Sequence, residues 1–166
     1  MATSFSNESF RETLSSLPVG QQRRVAARFI EKVLDLADER CLDNIVKHFS
    51  KAEIAPEDLE VAHHKARSIY VDTHPGSDLA ELSYPRQARH FVAEACMTCV
   101  APIYEQAKTC HLAQKVAMYC RMARTCSIMG HEGEEPDFSN VEAAATKATE
   151  EQHAILQGFL DEVGRQ

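Results

Sequence analysis

Glycine and proline residues interrupt this sequence at the points where a helical pattern of apolar residues begins or stops. Of the six glycines and six prolines, only Gly20, Pro102 and Gly158 fall inside a stretch with helical periodicity. No stretch of four or more residues alternates apolar β-branched residues with polar ones, as a half-buried strand would. Together these features predict an all-α chain in which short loops separate amphipathic helices.

The pattern predicts about five or six helices packed as an antiparallel bundle. The first expected helix runs from Glu8 to Ser16 and is capped by Asn7. Further helices are expected to begin at Pro18, Pro56 and Pro85, with a capped single turn at Asp78 and Glu81 before the last of these. The final helix is expected to follow a capping box of Ser139 and Glu142 and to end at Gly164. Whether Asp38 to Asp43 is a bend or part of a continuous helix stays open.

Pro102 lies in the middle of the longest helical tract, which runs from Pro85 to Gly130. A proline has no N–H to donate to the carbonyl four residues earlier, and its ring crowds that turn of the helix. We therefore expect the tract to be kinked or divided at Pro102.

The composition predicts a single helical domain over residues 1–166, with residues 1–6 disordered. The chain is 44% hydrophobic, which is enough for one core, and its longest uncharged hydrophobic stretch, Ala95 to Tyr104, is ten residues long. That is too short to span a membrane, and the N-terminus lacks the pattern of a signal peptide. We therefore expect a cytoplasmic protein that makes no membrane contact and keeps its six cysteines reduced.

Charge is unevenly distributed along the chain. The net charge of −7 disfavours binding to nucleic acid, which depends mainly on clustered Lys and Arg. Between Tyr84 and Cys126, six Lys or Arg residues stand against only Glu94 and Glu105, whereas the segment from Gly130 to Asp137 has four acids and no basic residue. These are either ordinary solvated faces or surfaces that steer a partner.

Two Glu-x-x-His motifs, Glu60 with His63 and Glu150 with His153, suggest a di-iron carboxylate site of the kind found in helical bundles. Such ligands must share the buried face of their helices. At about 100° per residue, Glu150 and Glu31 each lie roughly 160° from the apolar stripe of their helix. The geometry therefore disfavours iron, and the set Glu60, His63, Glu150 and His153 remains an alternative.

Cys96 and Cys99 form a C-x-x-C pair, which is typical of a redox dithiol or of half a zinc site. The pair lies near the end of a predicted helix, where the helix dipole disfavours a thiolate. Buried thiols that pack as small apolar residues are the favoured interpretation. A zinc site that combines Cys96 and Cys99 with Cys110 and His111 across the break is the alternative.

Two segments, Ala27 to Leu36 and the alanine-rich stretch from Ala107 to Tyr119 that contains His111, resemble a family of small all-helical immunity proteins of bacterial polymorphic-toxin systems. The cysteines of the long tract and the acidic segment 130–137 depart from that family, and no site residues transfer from it. The resemblance implies a non-enzymatic protein that neutralises a toxin by binding it.

No nucleotide-binding or hydrolase motif is present in the sequence. We therefore expect a non-catalytic helical binding module that acts through a protein partner, such as an immunity-type inhibitor, and that needs no cofactor. The expected partner-binding residues are Glu132, Glu134, Glu135 and Asp137, because acidic charge speeds association with a basic partner. The alternative is a metal-binding or redox bundle that holds iron or zinc.

Overall fold

A computed structural model of the chain describes residues 5–37, 40–51, 54–74, 83–129 and 138–165. The described residues form eight α-helices and no strand, so the prediction of an all-α fold is confirmed. In chain order the helices are α1 (Asn7–Ser16), α2 (Val19–Glu31), α3 (Arg40–Phe49), α4 (Pro56–Thr73), α5 (Tyr84–Cys99), α6 (Gln106–Thr109), α7 (Leu112–Ile128) and α8 (Val141–Gly164). A short 3₁₀ turn, Leu34–Leu36, lies between α2 and α3.

Prolines set helix boundaries as the sequence predicts. Pro56 and Pro85 occupy the first turns of α4 and α5, and Pro18 immediately precedes α2. The predicted division at Pro102 is confirmed, because α5 ends at Cys99 and α6 begins only at Gln106. The tract is divided a second time at Cys110 and His111, which explains part of the larger number of helices.

Two helix starts differ from the predicted caps by one residue. Ser6, and not Asn7, caps α1, since its hydroxyl accepts a hydrogen bond of 3.1 Å from the N–H of Ser9. Asn140 occupies the N-cap position of α8, one residue beyond the predicted Ser139. Two residues of the segment 1–6, which the sequence predicts to be disordered, therefore belong to the fold: Ser6 caps α1, and Phe5 packs against the core. Residues 1–4 lie outside the described residues.

The region between α2 and α4 is not one continuous helix, because α2 ends at Glu31 and α3 begins at Arg40. Residues 38 and 39 lie outside the described residues, as does the predicted turn at Asp78 and Glu81. Of the described helices, none is long and apolar enough to cross a membrane.

Helix α7 lies at the centre of the bundle, where it contacts α5, α2, α8 and α1. Ala113, Ala117 and Ala123 of α7 have no exposed surface, and such small side chains let neighbouring helices approach closely. Phe29 and Phe159 are the largest side chains buried in the same core. Helix α4 packs on the other side of α5.

Arg23 is a charged residue buried within this packing, with 6% of its surface exposed. Its guanidinium donates hydrogen bonds to the carbonyl oxygens of Cys99 at 2.7 Å and Ala101 at 2.6 Å. Cys99 is the last residue of α5 and Ala101 lies two residues beyond it, at the end where a helix leaves acceptors unpaired and its dipole favours a cation. Arg23 therefore supplies hydrogen-bond donors to the free carbonyl groups at and just after the end of α5, before the chain turns at Pro102.

Candidate functional site

A cavity of about 540 Å³ lies between α1, α7 and α8. Helix α7 contributes one face of it, because Gln114, Lys115, Met118 and Arg121 recur at helical spacing after His111. Helix α1 supplies the facing wall with Asn7, Phe10 and Arg11, and α8 supplies Thr149 and His153. The size is that of a small-molecule site.

Hydrogen bonds to α7 fix the positions of the other two walls. Gln114 Nε2 donates to the carbonyl of Arg11 at 2.9 Å and also to the hydroxyl of Ser15, which docks α1. Gln152 Nε2 donates to the carbonyl of Ala117 at 2.9 Å, which docks α8. The cavity is therefore held open by polar contacts at its margins.

The described lining carries three permanent cations, Arg11, Lys115 and Arg121, and no carboxylate. Each cation bonds to a neutral acceptor. Arg11 Nε donates to the carbonyl of Asn7 at 3.2 Å, Lys115 Nζ donates to the carbonyl of Ala107, and an Arg121 nitrogen donates to Gln152 Oε1 at 2.8 Å. The ion pairs of the described residues use other cations. Among the described residues, the cavity lining is thus a local concentration of positive charge that carries no carboxylate of its own.

Arg121 and Arg11 are close enough to repel each other. Burial lowers the pKa of Arg121, and the charge of Arg11 lowers it further. An anion placed between the two guanidinium groups would remove that repulsion and gain charge-assisted hydrogen bonds.

His153 brings a polar atom without a partner to the same cavity. Its Nε2 is buried and has no hydrogen-bond partner among the described residues. The ring packs against Phe10, with ring centroids 4.6 Å apart. Burial lowers the pKa of His153 and Arg121 lowers it further, whereas Glu150 opposes them. The lowered pKa favours the neutral ring, and a neutral imidazole can both donate and accept a hydrogen bond.

His111 closes the other end of the cavity from an unusual backbone position. Its φ of 53° lies in the left-handed region, which residues other than glycine seldom adopt. The residue stands immediately before α7, and its Nδ1 is 2.8 Å from the hydroxyl of Ser15. The backbone conformation of His111 therefore determines both the direction in which α7 begins and the position of the imidazole ring in the cavity lining.

The structure does not assemble the iron ligands that the sequence offers as an alternative. His63 is buried on α4, whereas Glu60 on the same helix is exposed and accepts a hydrogen bond of 3.1 Å from Tyr104. Glu150 is exposed, in agreement with the helical-wheel argument, and His153 lies in the cavity. Within the described ranges no three His, Cys, Asp or Glu side chains form a group able to hold a metal ion.

The predicted zinc ligands are likewise not brought together. Cys96 and Cys99 are buried, whereas Cys110 and His111 are exposed. Burial raises the pKa of Cys96 and raises that of Cys99 to about 12, so both are thiols at neutral pH. Cys99 Sγ donates a hydrogen bond to the carbonyl of Arg23 at 3.4 Å. These cysteines pack as core residues.

The acidic residues predicted to bind a partner, Glu132, Glu134, Glu135 and Asp137, lie outside the described residues. Comparison of the chain with known proteins found no matching family model, no matching curated protein and no matching solved structure. The site therefore has to be interpreted from its own chemistry.

Sequence reasoning did not identify the cavity cations as a site. A signal was present, since Lys115 and Arg121 belong to the tract with an excess of basic residues. The position of Arg11 carried no comparable signal, because its approach to α7 depends on the docking of α1 through Gln114.

Proposed function

We propose that the chain is a non-catalytic helical binding module that recognises an anionic group in the cavity between α1, α7 and α8. The observation that carries the proposal is the meeting of Arg11, Lys115 and Arg121 in a cavity whose described lining has no carboxylate. This occurs in a chain with a net charge of −7, so it does not follow from an overall basic composition.

The chemistry of the lining suits recognition. Guanidinium groups present several N–H donors in a fixed plane that matches phosphate and carboxylate oxygens. A concave surface of low dielectric constant strengthens the attraction and raises the local concentration of anions. Gln114 and Thr149 add neutral polar groups at the edges of the cavity.

Binding of a simple anion tests the proposal. We would titrate the ¹⁵N-labelled protein with inorganic phosphate at low ionic strength and follow amide shifts by NMR. The expected result is a saturable set of amide shifts confined to residues that line the cavity, with Arg121 and His153 among those that shift. Arg11→Gln should weaken binding by about fivefold, since it removes one exposed charge from the cavity.

Arg89→Gln is the matched control, because Arg89 is also an exposed helical arginine but lies on α5, away from the cavity. It should leave the affinity unchanged. Shifts that do not saturate, or an equal loss of affinity in both variants, would show that phosphate merely screens the protein surface, and the proposal would then be wrong.

A protein partner is a second candidate, favoured by the four acids and the lack of Lys and Arg between Gly130 and Asp137. In that case the chain would act as an immunity-type inhibitor, as the family resemblance implies, and the acidic segment would steer it to a basic protein. The test replaces Glu132, Glu134, Glu135 and Asp137 by their amides and measures capture of an identified copurifying protein. Undiminished capture by this variant would refute binding led by acidic charge.

A further inference from the structure

The positive charges of the cavity are not gathered at one point. Lys115 and Arg121 are six residues apart on α7, which corresponds to about 9 Å along the helix axis and about 120° around it. Met118 lies midway between them, both along the axis and around it, and 40% of its surface is exposed. The order along this wall is therefore cationic, apolar, cationic.

Side-chain contacts keep the two charged ends apart. Lys115 Nζ donates to the carbonyl of Ala107, at the α6 side of the cavity. Arg121 donates to Gln152 on α8. Helices α1 and α7 run antiparallel, since Ser15 contacts His111 and Arg11 contacts Gln114, and the Arg11 side chain extends back to the carbonyl of Asn7, towards the Arg121 end. One end therefore carries a lysine and the other end carries two arginines.

The cavity lining also includes two apolar side chains, Met118 of α7 and Phe10 of α1, whose ring packs against His153. A ligand that spans the cavity from Lys115 to Arg121 would place its middle segment against Met118, where an apolar group loses contact with water. A compact inorganic anion would reach only one end and leave the apolar middle unused.

We infer that the ligand is a small organic dianion whose two anionic groups are separated by an apolar segment, with one group bound by Lys115 and the other by Arg121 and Arg11. This inference rests on the proposed anion-binding function and specifies its ligand class. The two ends of such a ligand would each gain charge-assisted hydrogen bonds, whereas a monoanion would gain them at one end only.

Calorimetric titration of the full chain with simple carboxylates tests the inference. The probes are the long dianion suberate, the shorter dianion glutarate, and the monoanion octanoate, which has the same number of carbons as suberate. We expect suberate to bind about tenfold more tightly than octanoate, the difference that one charge-assisted contact gives, and more tightly than glutarate.

Variants of Lys115 separate charge pairing from general effects on the fold. Lys115→Met should reduce the affinity for suberate to that for octanoate, and Lys115→Arg should retain the preference. Lys147→Met, at an exposed lysine of α8 outside the cavity lining, should change neither affinity. Circular dichroism spectra of the three variants would establish that they are folded.

The outcomes distinguish this inference from the proposed function. Equal affinity for suberate and octanoate, or a preference for suberate that survives Lys115→Met, would overturn the two-ended ligand and leave anion binding intact. Phosphate binding in the cavity without binding of any of the three carboxylates would also overturn it. If neither phosphate nor the carboxylates bind, both the inference and the proposed function are wrong.

Discussion

Replacing Arg23 by methionine should destabilise the fold substantially. Methionine keeps most of the apolar stem of the side chain, so the change removes mainly the guanidinium. The carbonyl oxygens of Cys99 and Ala101 would then lose the donors that now bond to them at 2.7 and 2.6 Å. Both residues are almost completely buried, with 2% and 0% of their surfaces exposed, so water cannot readily replace the arginine.

The magnitude follows from the two carbonyls. Leaving a buried acceptor unpaired costs about 1–3 kcal/mol, so the two together give about 2–6 kcal/mol. Part of this is offset because the variant no longer buries a cation, and burial is the main cause of the lowered pKa of Arg23. We expect a net loss of about 2–4 kcal/mol in the free energy of unfolding.

Urea unfolding followed by circular dichroism would measure this loss. With a denaturant dependence of about 2 kcal/mol per molar, the midpoint should fall by about 1–2 M. Arg23→Lys should lie between the parent protein and Arg23→Met, because an ammonium group cannot reach both carbonyls with the geometry of a guanidinium. Arg89→Met, at an exposed position of α5, is the control and should stay within about 0.5 kcal/mol of the parent protein.

The reasoning would be refuted if Arg23→Met lost no more stability than the Arg89→Met control. That result would mean that the end of α5 does not depend on the buried guanidinium. A gain in stability would show further that the cost of burying the cation exceeds the value of its two hydrogen bonds.

Two further substitutions have effects whose direction follows from the structure. Gly158→Ala should stabilise α8 by about 0.5–1 kcal/mol, because the added methyl group meets no atom within 4 Å. Differential scanning calorimetry should show a rise of roughly 1–4 °C in the melting temperature, and a lower melting temperature would contradict the prediction. His63 has a pKa lowered mainly by burial, so the unfolded chain takes up a proton more readily, and stability should fall as the pH drops through 6.5 by at most about 1.4 kcal/mol per pH unit for this histidine. His63→Leu should flatten the dependence of unfolding free energy on pH between 7.5 and 5.5, and an unchanged slope would show that His63 does not contribute to it.

Helix starts and the central break could be predicted because proline acts through covalent geometry, which needs no knowledge of tertiary contacts. For that reason Pro56 and Pro85 lie in the first turns of α4 and α5, and Pro102 lies in the break between α5 and α6. The end of α2 at Glu31 could not be predicted in the same way. Val33 and Ala37 continue the apolar spacing of α2, and both are buried although the chain around them is no longer α-helical.

The candidate site was harder to predict from the sequence than the fold. Helical wheels placed Glu31 and Glu150 outward, and both are exposed in the structure. The same wheels place Lys115, Met118 and Arg121 near one another, but an isolated helix does not show that another helix covers them. The cavity exists because Gln114 holds α1 across this face, and that contact joins residues 103 positions apart.

The left-handed backbone conformation of His111 brings the stability of the fold and the binding of a ligand into conflict at one residue. A non-glycine residue in this region of backbone space costs free energy, of the order of 1 kcal/mol, so a glycine or an asparagine here would relax the backbone. The same replacement would remove the imidazole from the end of the cavity. Under the proposed function, selection for thermal tolerance and selection for ligand binding would therefore favour different residues at this one position.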